Sequence, residues 1–120
     1  MATFRQGAVV KVPFPYTDRA TRQHRPALVV SNGEAQAAHG LLWVLMITSA
    51  ENRGWPGDVN VSNLETAGLP APSVIRTAKI ATIEAADAIK LGRVSPSALR
   101  QVIVRVGHEL GLVARGGGAG

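Results

Sequence analysis

Residues 12–31 read "VPFPYTDRATRQHRPALVVS". The stretch opens on Pro13-Phe14-Pro15-Tyr16, crosses a polar and basic loop, and ends in an apolar run. Each proline fixes φ and brings no amide donor, so a strand arriving from the N-terminal side is expected to stop there. That strand is residues 7–12, "GAVVKV", with Ala8, Val10 and Val12 on one face. Residues 27–31, "ALVVS", form a second strand beginning just after Pro26, and Asn32-Gly33 marks a turn. The loop itself needs explaining, because it gathers Arg19, Arg22, His24 and Arg25 at the threshold of a buried strand.

Further along, "LLWVLMIT" (41–48) is apolar on both faces and predicts a central strand. "DVNV" (58–61) alternates, as a strand with one wet face does. "SVIRTAKIATI" (73–83) reads as one long strand or two short ones, bent near Ala78. Residues 84–91 suggest a short helix stopped by Gly92. Ser95-Pro96 supplies an N-cap and a first-turn proline for a last helix. In it Leu99, Val102, Ile103, Val106 and Leu110 share a stripe, while Arg100, Arg105 and Glu109 point away. Such a stripe needs a sheet to cover. The expected fold class is mainly β, a small β-barrel closed or capped by a C-terminal helix. An open antiparallel sheet with the helix on one face is the alternative. One domain is expected over 1–114, with a frayed tail, "RGGGAG", at 115–120.

The chain of 120 residues contains no cysteine, which excludes disulfides, thiolate metal sites and cysteine nucleophiles and suits a reducing, cytoplasmic setting. No segment resembles a signal peptide, and no apolar run approaches the ~20 residues of a membrane helix. The net charge is +5, and arginine outnumbers lysine ten to three. Arginine grips phosphate through a planar fork where lysine is a point charge, so the composition leans towards an anionic partner such as nucleic acid. His24, His39 and His108 are scattered without carboxylates at ligand spacing, so neither metal nor cofactor is expected. His39 and His108 read as surface residues. Arg25 opening one buried strand and Thr48-Ser49 ending another could together anchor a phosphodiester. The plainer alternative is a solvated arginine and a hydroxyl that caps a turn.

"GAVVKVPFPYTD", "RPALVVS", "MITS", "WPGDV", "AGL", "SVIR" and "KLGRVS" follow one another in an order that resembles the MazF/PemK (Kid-like) toxins of type II toxin–antitoxin systems, over about residues 7–112. The resemblance implies an SH3-like barrel of the CcdB/PemK type and a homodimer. It implies metal-independent, sequence-specific cleavage of single-stranded RNA and silencing by an acidic antitoxin protein. The family's catalytic arginine falls on Arg25, and its threonine or serine on Thr48, with Ser49 beside it. The implied chemistry is attack of the RNA 2′-hydroxyl on phosphorus, leaving a 2′,3′-cyclic phosphate and a 5′-hydroxyl.

Arg25 suits charge stabilisation and is a poor base. His24 has the right chemistry for a base, but shares a pocket with Arg25 only if it still lies in the loop. Some members carry an arginine followed two residues later by a catalytic aspartate; here Arg76 is followed by Ala78, and Asp18 is a substitute candidate. The basic loop then reads as a flap over RNA, with Arg19 and Arg22 on flanking phosphates. Tyr16 and Trp55 are candidates to contact RNA, and Phe14 to pack in the core. The surplus apolar surface of 41–47 suits a dimer. Two other readings stay open. A toxin of the same fold can bind a protein target, as the CcdB gyrase inhibitors do, although "RGGGAG" makes a poor anchor. An inactive member that only binds is the other, and Ala78 favours it.

Overall fold

The apolar run at 41–48 becomes the spine of a sheet. The computed structural model describes residues 3–14, 23–52 and 54–112. It places β3 (Leu41–Ser49) between β2 (Gln23–Val29) and β5 (Ser73–Glu84), antiparallel to both. With a partner on each edge and side chains packed on each face, β3 has no reason to alternate. Val44, Leu45 and Ile47 are accordingly buried. Adding β1 (Ala8–Phe14), β4 (Val59–Asn60) and β6 (Ile89–Arg93) gives, among the described residues, a six-stranded antiparallel sheet in the order β4-β5-β3-β2-β1-β6. The sheet curls into a half-barrel. Part of its bend is a bulge in β5: Arg76 pairs with Met46 and Ile80 with the adjacent Leu45, so residues 77–79 have no partner on β3. The bend foreseen near Ala78 is this bulge.

One face of the sheet meets α3 (Pro96–Glu109), whose first turn is set by Ser95 accepting the Ala98 N–H at 3.1 Å and by Pro96. Ala98 and Val102 pack against Val9, Leu28 and Ile75, with Leu99 and Val106 at the rim. Burying Val102 alone is worth about 1.5–3 kcal/mol. Ile103 and Leu110, expected in the buried stripe, instead stand exposed, because the contact band is centred on Ala98 and Val102. The opposite face packs Phe4, Phe14, Val10, Val12, Ala27, Val29 and Val44 together, so Phe14 is a core residue as expected.

Several expectations are corrected. Asn32-Gly33 opens a helix, α1 (Gly33–His39), in which Asn32 Oδ1 accepts the Glu34 N–H at 3.0 Å; His39 ends it, exposed. The helix expected at 84–91 is a 3₁₀ turn (Ala85–Asp87) followed by β6, since the ladder with β1 outweighs good local helix propensity. The strand expected over 58–61 keeps two residues.

Pro13 and Pro26 do not bound their strands either, and Pro15 lies outside the described residues. β1 runs through Pro13 to Phe14, and β2 begins at Gln23, before Pro26. Each proline lies where its strand has only one neighbour. β6 leaves β1 at Lys11, and β3 leaves β2 at Ala27, while β1 and β2 stay paired out to Phe14 and Gln23. Beyond those points they form a two-stranded arm, in which a missing N–H disrupts no second ladder. The tail expected at 115–120 lies outside the described residues.

Helix α2 (Leu64–Ala67) docks on β6 through two glycines. A Cβ on Gly92 would overlap the Thr66 carbonyl oxygen, and one on Gly68 the Leu91 carbonyl oxygen. Gly92→Ala is therefore expected to lower stability by about 1–3 kcal/mol, read as a shifted urea midpoint at unchanged slope. An unshifted midpoint would mean that this contact is slack.

Candidate active site

The arm and β3 diverge, and a cavity of about 470 Å³ opens in the fork between them. Its walls include Arg25 and His24 on one side and Thr48 and Asn52 on the other, with the 69–73 segment closing the end. The ladder between β2 and β3 stops at Ala27 and Met46. Continuing that register by two residues sets Arg25 opposite Thr48. Both belong to the face that carries Val12, Ala27 and Met46, since Val12 pairs with Arg25. Arg25 is half-buried and makes no hydrogen bond or ion pair with another described residue. A guanidinium in that position offers its donors to the cavity.

His24 lies within β2 rather than in a loop, so strand alternation turns it to the other face from Arg25. It lines the same cavity nonetheless, together with Pro26 and Arg25.

The β3 wall is built from the end of the strand upward. Thr48 is only 6% exposed and accepts a hydrogen bond from Asn52 Nδ2 at 3.1 Å. Ser49 is exposed; its Oγ accepts the Glu51 N–H at 3.2 Å and starts the 3₁₀ turn Ala50–Asn52. The turn-capping role considered for Thr48 thus falls to Ser49. Asn52 O accepts from Arg76 Nη2 at 2.5 Å. Arg76, 7% exposed, also donates to both Asp58 oxygens, Nε at 3.3 Å and Nη2 at 3.0 Å. The Trp55 ring lies 4.2 Å from its guanidinium carbon. Trp55 thus has one face on Arg76 while remaining 45% exposed.

Sequence reasoning assigned no role to Asn52 or Asp58. The only signal was indirect: an arginine beside buried Val74 and Ile75 requires a carboxylate, and Asp58 is 18 residues away in the chain. Tyr16, Asp18, Arg19 and Arg22 lie outside the described residues. Among the described residues, no group of three or more His, Cys, Asp or Glu could hold a metal ion, and no helix is long and apolar enough to cross a membrane.

Comparison with known proteins follows the same lines. Residues 5–109 match the family model described as PemK-like, MazF-like toxin of type II toxin–antitoxin system. No curated protein matches the chain. Among solved structures, the chain is similar to MazF from Deinococcus radiodurans, at 22% identity and TM-score 0.76, over 92% of this chain and 99% of that one. It is also similar to an endoribonuclease in complex with its cognate antitoxin from Mycobacterial species, at 19% identity and TM-score 0.73, over 96% and 100%. A third is the Mycobacterium tuberculosis toxin MazF-mt6, at 21% identity and TM-score 0.69, over 88% and 97%. At these identities the likeness establishes the fold.

The buried pair makes a stability test. Asp58→Ala would leave the Arg76 charge buried without its carboxylate and is expected to cost about 3–5 kcal/mol in urea unfolding. Trp55→Ala, which removes one ring face, is expected to cost about 0.5–2 kcal/mol. Equal, small losses from both would show that the pair is not what holds this wall.

Proposed function

The chain belongs to the PemK-like, MazF-like toxins of type II toxin–antitoxin systems, and from that membership we propose that it is a metal-independent endoribonuclease cutting single-stranded RNA at short sequence motifs. The observation that carries the reading is Arg25: a half-buried guanidinium without a described partner, across an open fork from the Thr48 hydroxyl. A phosphodiester fits between them. Arg25 forks onto two phosphate oxygens and holds the extra negative charge of the transition state, and Thr48 donates to one of the same oxygens.

In the step itself the 2′-oxygen bonds to phosphorus as the bond from phosphorus to the 5′-oxygen breaks. The products are a 2′,3′-cyclic phosphate and a 5′-hydroxyl. DNA lacks the nucleophile and is spared. The 2′-hydroxyl proton needs an acceptor and the departing 5′-oxygen needs a proton; His24, on the cavity wall, has the chemistry for either.

The same surface suits the acidic antitoxin that the family implies. Carboxylates and phosphates compete for one guanidinium, so antitoxin and RNA exclude each other. The family homodimer has an apolar surface available beside α3, where Trp43 is 52% exposed together with Ile80, Ile103, Leu110 and Leu112. The protein is proposed to act in the cytoplasm.

The test is cleavage of a varied RNA pool in EDTA, with the product ends identified. Arg25→Ala is expected to lower kcat/KM by about 10²–10³-fold. Full activity in Arg25→Ala would move the site elsewhere, and 5′-phosphate with unmodified 2′,3′-diol ends would refute the proposed chemistry. His24→Gln is expected to lower kcat by at least about 10²-fold if His24 moves the proton. An unchanged kcat would remove it from the mechanism.

A further inference from the structure

The hydroxyl of Thr48 can help a phosphate only if its hydrogen points into the fork, and nothing intrinsic to threonine makes it do so. A threonine hydroxyl rotates freely, with one O–H to donate and two lone pairs to accept with. Here Asn52 Nδ2 approaches Oγ1 at 3.1 Å and donates to it. One lone pair is thereby occupied from the side of the Ala50–Asn52 turn, and the O–H must turn away from that amide. Thr48 and Asn52 both line the fork, and Thr48 Oγ1 donates to no acceptor among the described residues, so the hydrogen turned from the amide is left for a group bound in the fork.

Asn52 is itself held. Its carbonyl accepts from Arg76 Nη2, and the turn that carries it is tied down by the Ala50 N–H to Pro72 O bond at 3.0 Å. Arg76 cannot reach a substrate while it does this. It is 7% exposed, three of its N–H donations go to Asp58 and Asn52, and Trp55 covers one face of the guanidinium.

We infer that Asn52 is a positioning residue that aims the Thr48 hydroxyl at the scissile phosphate, and that Arg76, itself held by Asp58 and Trp55, acts on the reaction by holding Asn52. This rests on the nuclease reading above and adds to it a residue that acts through another rather than on RNA. The buried arginine becomes part of the support, and the hydroxyl it serves stands two steps away along the hydrogen-bond chain.

A double-mutant cycle separates this from a merely structural role. Asn52 is exposed, so Asn52→Ala is expected to fold, and a urea melt alongside the assay checks that it does. In the wild-type background Asn52→Ala should lower kcat/KM about tenfold, most of it in kcat. In the Thr48→Ala background the same change should cost less than about twofold, because the hydroxyl it aims is gone. Equal losses in the two backgrounds would overturn the inference, as would no loss in the first. So would a gain on Asn52→Ala, which would mean that Asn52 Oδ1 had been absorbing the Thr48 hydrogen.

The same cycle is read as affinity for a 2′-deoxy oligonucleotide, which offers the phosphate without the nucleophile. Coupled losses of affinity from a wild type that cuts no RNA would refute the nuclease reading and keep the Asn52–Thr48 relation. A wild type that neither cuts nor binds would refute both.

Discussion

Burying a guanidinium is among the more costly things a small domain can do, and the wall of the candidate site is organised around one. Arg76 sits in β5 beside buried Val74 and Ile75, and its charge is tolerated only because Asp58 meets it with two oxygens, Asn52 with a carbonyl and Trp55 with a ring. Satisfying that one group draws three pieces of chain together: the turn after β3, the segment before β4, and β5. Secondary bonds follow the same geometry, such as Thr77 Oγ1 donating to Gly57 O at 2.9 Å. Among the described residues the opposite wall has no such clamp. The β1–β2 arm is restrained by its own ladder, with β3 and β6 already departed. The fork therefore has a fixed side, which bears Thr48, and a side with fewer restraints, which bears Arg25.

The two arginines show how the same side chain is put to opposite uses. The carboxylate of Asp58 is spent on Arg76, and among the described residues no other carboxylate pairs with Arg25 at the cavity. In a chain of net charge +5, the fork presents a cation with no resident counter-ion among the described residues. The field is set to attract an anion from solution, and an open cavity leaves room for one. Had Asp58 stood across from Arg25 instead, the site would be neutral and closed to phosphate.

Much of this frame was legible in the sequence. The run at 41–48 declared a central strand, and Ser95-Pro96 declared the start of α3, because each signal is local and unopposed. β6 was misread because residues 84–91 are good helix formers, and what overrides them is a ladder to β1 some 80 residues earlier in the chain. The prolines misled for a related reason: the rule that proline ends a strand assumes neighbours on both edges, and Pro13 and Pro26 have one each. Arg25 and Thr48 could be named from motifs. Their pairing across a fork could be suggested from their places at two strand ends, but not the register that sets it; Asp58 and Asn52 could not be named, since their importance lies in the buried charge they serve.

Ala78 can be reconsidered on the same terms. Its significance in the sequence was a missing carboxylate near Arg76, and so a reason to suspect an inactive protein. In the folded chain Ala78 is exposed on the β5 bulge, while Arg76 is turned into the wall and already holds a carboxylate from Asp58. An acid at position 78 is thus not needed to pair Arg76, and its absence leaves no buried charge uncompensated. What Ala78 removes is one proton-transfer group, and His24 stands on the cavity wall with chemistry of that kind. Ala78 thus bears on the route of a proton and not on the integrity of the wall that Arg76 holds.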